Sequence, residues 1–209
     1  MIVIVDYGMG NLHSVAKALE RVYDGEILIS GKTEDVRKAD KIILPGVGAF
    51  GVGMANLKKK GLVPVLVEEV IVKKKPFLGI CLGMQLIATD SEEKGFAKGF
   101  GWVDAHVRRF KVDAELDLKI PHVGWNTIQI NDACELLKGY LGDRCFYFVH
   151  SYHVECSSEK HIAARCNYGF DFVAAIHKDN IFATQFHPEK SQKNGLRLLK
   201  NFVGWCPEC

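Results

Sequence analysis

The sequence lacks an excess of charge of either sign, a long apolar run and a paired set of cysteines. Its 27 lysine and arginine residues nearly balance 25 aspartate and glutamate residues, for a formal net charge of +2, so nothing indicates a protein that binds nucleic acid or a membrane surface. No apolar stretch approaches the roughly 20 residues of a membrane-spanning helix. Residues 2–5 already have a strand pattern, which leaves no room for a signal peptide. Seven cysteines without framework spacing predict reduced thiols and a cytoplasmic protein.

The length and the hydrophobic content predict one compact unit. The 209 residues, 48% of them hydrophobic, are enough for one sizeable core and too few for two. We therefore expect one domain over residues 1–203 and a short tail over residues 204–209. Strand and helix patterns alternate up to Asp90, which predicts a parallel sheet covered on both faces. Beyond it, strand-like runs follow one another, which predicts antiparallel pairing. The predicted fold class is a single α/β domain whose mixed central sheet, parallel early and antiparallel late, is flanked by helices.

The first half contains four predicted strands, at residues 2–5, 27–30 and 41–44 and in the run that ends near Cys81. Asn11 is placed to cap a helix that continues to about residue 22, since asparagine accepts hydrogen bonds from the first helical N–H groups. Other helices are predicted up to residue 60, from Pro64 to residue 74, and over residues 194–203. The glycines at 8 and 10 do not form a dinucleotide-binding fingerprint, because His13 stands in the place of the third glycine.

The segment Gly79-Ile80-Cys81-Leu82-Gly83 lies between a buried-strand pattern and a helical pattern. It is the cysteine form of the G-x-S-x-G turn, which places a nucleophile at the end of a strand. The backbone of such a turn is strained, and a glycine on either side lets the neighbouring chain approach closely. A helix that begins here favours the thiolate. Cys81 is thus a candidate nucleophile, although a free cysteine is commonly only a small buried hydrophobic residue.

A second glycine-containing loop, Pro45-Gly46-Val47-Gly48, follows the third predicted strand. Two glycines around Val47 allow the backbone N–H groups to turn outward, as a binding loop for a developing negative charge requires. An ordinary connection between a strand and a helix is the alternative interpretation.

The last predicted strand ends in Phe186-His187-Pro188-Glu189-Lys190-Ser191. Pro188 favours extended geometry at His187, and residues two apart on an extended segment project the same way. We therefore expect the Glu189 carboxylate to orient the His187 imidazole, as the base of a cysteine nucleophile requires. A loop histidine beside a solvated glutamate is the alternative.

Together these three segments resemble the class I (triad) glutamine amidotransferases. Further segments resemble, within that family, the HisH-type glutaminase subunits of imidazole glycerol phosphate synthase: Asp6-Tyr7-Gly8-Met9-Gly10-Asn11, Pro121-His122-Val123-Gly124-Trp125-Asn126 and Tyr147-Phe148-Val149-His150-Ser151-Tyr152. The resemblance extends from residue 1 to about residue 203. It implies an enzyme that hydrolyses L-glutamine to glutamate and ammonia. The sequence has no recognisable phosphate loop or metal motif, so we expect no cofactor and no metal.

The resemblance implies a role for each matching residue. The catalytic triad would be Cys81, His187 and Glu189. The oxyanion would be held by backbone N–H groups of Val47, Gly48 and Leu82. The residues that match glutamine-binding positions are Gln85, Glu93, Ser151 and Tyr152. Glu93 suits the α-amino group, because a carboxylate pairs with an ammonium, although a solvated acidic loop is the alternative.

The resemblance also implies a partner. Because ammonia must not escape into water, the glutaminase face would dock on a HisF-type (β/α)₈ barrel synthase in a heterodimer. That partner would use the ammonia to make imidazole glycerol phosphate and an aminoimidazole carboxamide ribotide in histidine biosynthesis. The residues that match interface positions are Asn11, Trp125, Asn126 and Lys190. Trp125 could equally belong to the core.

Departures from the family pattern leave other functions open. Trp102-Val103-Asp104-Ala105 stands where many relatives have Leu-Ile-Pro-Gly, and Ala183 replaces a frequent glycine. One alternative is a HisH paralogue that supplies ammonia to a sugar amidotransferase of surface polysaccharide or flagellin glycan synthesis. Others are a stand-alone cysteine hydrolase and a catalytically inactive binding subunit.

Cys206 and Cys209 are interpreted as part of an exposed tail, with a redox or zinc role as alternatives.

Overall fold

The computed structural model describes residues 1–111, 113–131, 134–140, 142 and 144–207. Its first part alternates strands and helices, as predicted. The strands are β1 (Ile2–Val5), β2 (Ile27–Ser30), β3 (Lys41–Gly46) and β4 (Phe77–Cys81). The helices are α1 (Leu12–Glu20), α2 (Thr33–Lys38), α3 (Phe50–Lys59), α4 (Leu62–Leu66) and α5 (Leu82–Leu86).

The second part consists mainly of strands. They are β5 (Asp90–Ser91), β6 (Ala97–Lys98), β7 (Ala105–Arg109), β8 (His122–Ile130), β9 (Cys145–His150), β10 (Tyr152–Cys156), β11 (Ile162–Asn167), β12 (Asp171–Lys178) and β13 (Ile181–Thr184). A short 3₁₀ turn, Pro188–Lys190, and helix α6 (Gln192–Gly204) follow. β8 is nine residues long, and its residues 122–127 pair with β9.

The strands form one mixed sheet, whose main path over the described residues has the order β2-β1-β3-β4-β13-β12-β10-β7-β5-β6. The first four strands pair in parallel, and most later pairs are antiparallel. β13 departs from the antiparallel expectation in one of its two pairs. It is antiparallel to β12, to which the turn at residues 179–180 connects it, and parallel to β4, with Thr184 opposite Ile80. The predicted fold class is confirmed, and the β4–β13 pair brings the Cys81 turn beside the chain that leads to His187.

The core lies on both faces of the sheet because successive strand residues point to opposite sides. Ile2 and Ile4 pack on one face with the apolar sides of α1 and α6, whereas Val3 and Val5 pack on the other with α2, α3 and α4. All four β1 side chains are at most 1% exposed, and each contributes about 1.5–3 kcal/mol by leaving water. This two-sided burial explains the near-continuous apolar runs of the early strands.

Several helix boundaries differ from the prediction. The helix expected from Pro64 to residue 74 is α4 followed by a π-helical turn, Val67–Val72. Asn11 caps α1 as predicted, with its side-chain oxygen 3.3 Å from the backbone nitrogen of Ser14. Helix α6 extends to Gly204, and Trp205 beyond it is buried. The domain boundary at residue 203 stays a prediction. Over the described residues, no helix is both long and apolar enough to cross a membrane.

Candidate active site

The turn between β4 and α5 holds Cys81 in a conformation that few residues with a side chain adopt. Cys81 has φ +53° and ψ −104°, and backbone strain of this kind costs on the order of 1–3 kcal/mol. The flanking glycines make the turn possible. A Cβ on Gly79 would lie 2.8 Å from the carbonyl oxygen of Gly83, and a Cβ on Gly83 would overlap the carbonyl oxygen of Leu44. The turn therefore has the geometry of a nucleophile elbow.

The Cys81 side chain is largely buried, with 6% of it exposed. Its sulfur lies 4.0 Å from the carbonyl oxygen of Val149 and 3.6 Å from Nε2 of Gln185. Helix α5, which starts at the next residue, has only five residues. The dipole of so short a helix supplies limited stabilisation to a thiolate.

His187 and Glu189 contact each other directly. The carboxylate oxygen Oε1 of Glu189 lies 2.7 Å from Nδ1 of His187, and both side chains are 3% exposed. The predicted reason for the contact is wrong: Glu189 lies in the 3₁₀ turn Pro188–Lys190 rather than on an extended segment. Ser191 holds this turn by donating its hydroxyl to the carbonyl oxygen of His187 at 2.6 Å. A compact turn therefore supplies the orientation that was expected from an extended strand.

The protonated form of His187 is favoured by its neighbours. Burial alone would lower its pKa, but the Cys81 sulfur and the Glu189 carboxylate both raise it, to about 10. The opposite ring nitrogen, Nε2, is buried and has no hydrogen-bond partner among the described residues. Such bonds between nucleophile and base are often long before substrate binds. These neighbours favour an imidazolium, which the Glu189 carboxylate orients from the Nδ1 side.

A cavity of about 430 Å³ opens beside Cys81. Eight of the predicted site residues line it: Val47, Gly48, Cys81, Leu82, Gln85, Glu93, Ser151 and Tyr152. His187 and Glu189 are not among its lining residues, and both side chains are buried. The lining residues that sequence reasoning missed are Ala49, Lys94, Pro121, Val149 and His150.

Two of the predicted glutamine-binding residues are tied to the surrounding backbone. Glu93 accepts a hydrogen bond from the backbone N–H of Phe50, at 2.7 Å, and its own N–H is 3.1 Å from the hydroxyl of Ser91. Gln85 donates its side-chain amide to the carbonyl oxygen of Tyr152 at 3.2 Å. The solvated-loop alternative for Glu93 is therefore wrong: its carboxylate is fixed at the edge of the cavity.

Two buried histidines, His122 and His150, contact each other at the cavity, which His150 lines. His150 donates from Nδ1 to the carbonyl oxygen of Tyr152 at 2.8 Å, so its Nε2 accepts from Nδ1 of His122 at 3.2 Å. Burial lowers the pKa of His122 to about 4 and that of His150 to about 3, so both rings are neutral at pH 7. Sequence could have indicated the pair only through the β8–β9 register, in which these two residues are direct partners.

The predicted interface residues occupy different environments. Trp125 is 48% exposed, so the alternative that it belongs to the core is wrong. The rings of Trp125 and Tyr147 lie 6.0 Å apart, and Lys190 Nζ is 5.5 Å from the Tyr147 ring centroid. Asn126 instead donates to the carbonyl oxygen of Asn167 at 2.8 Å. Asn11 is exposed at the start of α1.

No group of three or more histidine, cysteine, aspartate or glutamate side chains is placed to hold a metal ion in the part of the chain that the structure describes. Of the C-terminal cysteine pair, Cys206 is described, whereas Cys209 lies outside the described residues. Cys206 takes part in a disulfide bond, so the prediction of reduced thiols is wrong for this residue, whereas the interpretation of the tail as exposed stays a prediction.

Comparison with known proteins supplies the family. Residues 3–205 match the family model described as glutamine amidotransferase class-I, so the chain belongs to the class I glutamine amidotransferases. Its relatives include proteins named imidazole glycerol phosphate synthase subunit HisH. HisH 1 of Campylobacter jejuni (strain RM1221) is 50% identical over 97% of this chain and 99% of its own length. HisH of Methanocaldococcus jannaschii is 47% identical over 97% and 98%. The predicted family and enzyme class are confirmed.

Solved structures agree with the fold. The glutaminase domain of Trypanosoma brucei CTPS has a TM-score of 0.67 at 18% identity, covering 97% of this chain and 92% of that one. A crystal structure of a glutamine amidotransferase has a TM-score of 0.72 at 17% identity, covering 97% of both chains. At these identities the likeness concerns the fold alone.

Proposed function

We propose that this chain is the glutaminase subunit of an imidazole glycerol phosphate synthase, a cytoplasmic enzyme of histidine biosynthesis. It hydrolyses glutamine and passes the ammonia to a HisF-type (β/α)₈ barrel. One observation supports this most: Cys81, on a strained elbow, opens into the same cavity as Gln85, Glu93, Ser151 and Tyr152. A nucleophile and the polar groups that hold an amino acid thus share one site.

In the proposed mechanism, the Cys81 thiolate attacks the side-chain amide carbon of glutamine. The N–H of Leu82 and one N–H of the Val47–Gly48 loop stabilise the oxyanion. His187 donates its proton to the departing ammonia, which leaves a thioester on Cys81. Water that gives a proton to His187 then releases glutamate. The raised pKa of His187 supports the first of these proton transfers, because the ring starts protonated.

The polar lining gives glutamine one orientation. Glu93 keeps its second carboxylate oxygen for the α-ammonium group, because only Oε2 is bonded to the Phe50 N–H. Gln85 uses its amide nitrogen within the protein, so its carbonyl oxygen remains to accept a hydrogen bond from the ligand. Ser151 and Tyr152 complete the polar lining of the cavity.

The partner surface is the outer face of β8 with the start of α1 and the turn after β13. Val123 and Trp125 are two residues apart on β8 and expose 55% and 48% of their surface. Aromatic side chains are enriched at the centres of interfaces. In this proposal Trp125 and Lys190 contact the barrel, together with Asn11 and Asn126.

The decisive experiment measures glutamate release by the chain alone, with a HisF-type barrel, and with the barrel and its ribotide substrate. We expect slow hydrolysis alone and the highest rate in the full mixture. Cys81→Ala should reduce that rate by about 10³-fold or more while the two proteins still elute together. Cys156→Ala, at a cysteine outside the cavity, is the matched control. Near-native turnover by Cys81→Ala would exclude the mechanism, and a maximal rate in the isolated chain would exclude gating by the partner.

A second candidate function is supply of ammonia to a sugar amidotransferase. It is favoured by the names of the relatives, since Methanococcus maripaludis has both a HisH 1, 46% identical to this chain, and a HisH 2, 44% identical. Two copies in one organism allow one to serve another acceptor. Ribotide-independent activation by a sugar amidotransferase, and no activation by a HisF-type barrel, would favour this candidate over the first.

A further inference from the structure

Two buried glutamine side chains join the wall of the glutamine cavity to the Cys81 sulfur. Gln85 is 5% exposed and Gln185 is fully buried. Nε2 of Gln85 lies 3.2 Å from the carbonyl oxygen of Tyr152 and 3.1 Å from Oε1 of Gln185. Nε2 of Gln185 in turn lies 3.6 Å from Sγ of Cys81. The contacts form one continuous chain that ends at the sulfur.

The donor-to-acceptor direction of these hydrogen bonds is fixed by the backbone carbonyl of Tyr152. The Tyr152 carbonyl oxygen can only accept, so Gln85 must turn its NH₂ group toward it. The second hydrogen of the same NH₂ group then points to Gln185, which must present its carbonyl oxygen. Flipping only the side-chain amide of Gln185 would place its NH₂ group against the NH₂ group of Gln85. Flipping both side-chain amides would place the side-chain carbonyl oxygen of Gln85 against the carbonyl oxygen of Tyr152. Only one arrangement satisfies all these buried groups.

The consequence is that Gln185 directs an N–H toward Cys81. The distance of 3.6 Å is within the range of an N–H···S hydrogen bond, and the backbone N–H of Gln185 is itself held by the carbonyl oxygen of Ala174 at 2.9 Å. A donor of this kind binds a charged sulfur more strongly than a neutral thiol. It supplements the short helix α5, whose dipole alone offers limited help.

We propose that Gln185 is a further catalytic residue, whose side-chain N–H donates to the Cys81 sulfur and stabilises the thiolate that attacks glutamine. The inference rests on the proposed role of Cys81 as nucleophile. In the reactive pair the thiol proton resides on Nε2 of His187 and the electron pair on the Cys81 sulfur. Gln185 neither gains nor loses a proton. Gln85 acts through Gln185 as a positioning residue, in addition to its contact with the ligand.

The test is the rate at which iodoacetamide alkylates Cys81, followed on the Cys81 peptide by mass spectrometry over a range of pH and without glutamine. Gln185→Leu keeps the size of the side chain but removes the donor. We expect its rate at neutral pH to fall about 10-fold, the effect of losing one hydrogen bond to a charged group, and its pH profile to move toward higher pH. Gln129→Leu, at an exposed glutamine on β8, is the matched control and should leave the profile unchanged.

A measurement on the unmutated chain covers the case in which Gln185→Leu does not fold. The side-chain N–H resonance of Gln185 should shift with pH in parallel with the alkylation profile, and this shift should be absent in Cys81→Ala. An unchanged alkylation profile in folded Gln185→Leu, or a Gln185 resonance that does not respond to Cys81, would overturn the inference. Neither result would affect the proposed glutaminase function, which the Cys81→Ala turnover decides separately.

Discussion

Glu93 and Phe50 are joined by a hydrogen bond of 2.7 Å between the Glu93 carboxylate and the backbone N–H of Phe50, the first residue of α3. Only Ala49 separates helix α3 from the Val47–Gly48 loop. A residue proposed to bind the amino group of glutamine therefore also holds the end of the loop proposed to bind the oxyanion. The Glu93 carboxylate therefore contributes both to ligand binding and to the position of that loop.

The two roles of Glu93 can be separated by substitution. Glu93→Gln retains an oxygen for the Phe50 N–H but loses the charge, so we expect KM for glutamine to rise about 10-fold or more with little change in the free energy of unfolding. Glu93→Leu loses both and should also destabilise the fold by about 1 kcal/mol, the cost of a lost helix cap. Steady-state kinetics and urea unfolding measure the two effects. Glu92→Gln is the control; an equal rise in KM there would contradict a specific role for Glu93.

The pKa of His187 should depend on Cys81. Burial lowers this pKa, whereas the Cys81 sulfur and Glu189 raise it to about 10, so Cys81→Ala should lower it and leave only Glu189 to oppose burial. Nuclear magnetic resonance titration of the imidazole measures the change, with Cys156→Ala as the control. A group whose pKa rises on folding stabilises the protein fully below its unfolded pKa of about 6.5. The stabilisation is therefore lost as pH rises through about 10. An identical titration in Cys81→Ala would show that the sulfur does not act on the ring.

Gly83 should not tolerate a side chain. A Cβ there would overlap the carbonyl oxygen of Leu44, which is fixed in the sheet, so Gly83→Ala should destabilise the protein by about 3 kcal/mol and reduce glutaminase turnover by moving the elbow. Thermal unfolding and glutamate release measure the two effects. Gly51→Ala in α3 is the matched control, because its Cβ would meet only Ala97 at 3.9 Å. Equal stability of the two variants would contradict this account of the elbow.

Mild acid should destabilise the protein through its buried histidines. Burial lowers the pKa of His122, His150 and His153, so the unfolded chain takes up protons that the folded chain does not. Below pH of about 6.5 each such histidine should reduce the free energy of unfolding by about 1.4 kcal/mol per pH unit, until its folded pKa is reached. Urea unfolding at several pH values measures the slope. His122→Phe should reduce it, whereas His13→Gln, at an exposed histidine, should not; equal slopes would exclude this explanation.

Local sequence was enough to predict the parts of the site that depend on short-range geometry. The glycines on both sides of Cys81 are required by its strained turn, and Asn11 caps α1 through its own side chain. The mixed sheet followed from strand and helix periodicity. These features involve residues that are neighbours in the chain, so spacing alone carries the information.

Features that depend on packing between distant segments could not be predicted in the same way. The parallel partner of β13 is set by the hairpin that precedes it, not by its own residues. The link from Gln85 to Gln185 joins residues a hundred positions apart. The contact between His187 and Glu189 was expected, but its 3₁₀ geometry follows from the buried hydroxyl of Ser191. Predicting any of these features would require knowledge of which elements lie side by side in the fold.

The pairing of β4 with β13 also has a consequence for how the enzyme is made. Phe77 and Ile181 face each other across this pair, so the strand that bears the thiol, which already pairs with β3, acquires its second neighbour only after roughly half the chain has been synthesised behind it. Closing so long a stretch is slow compared with forming a local hairpin. Newly made chains should therefore hold an unassembled, inactive cysteine until the sheet is complete, and glutamine is spared from hydrolysis during that interval.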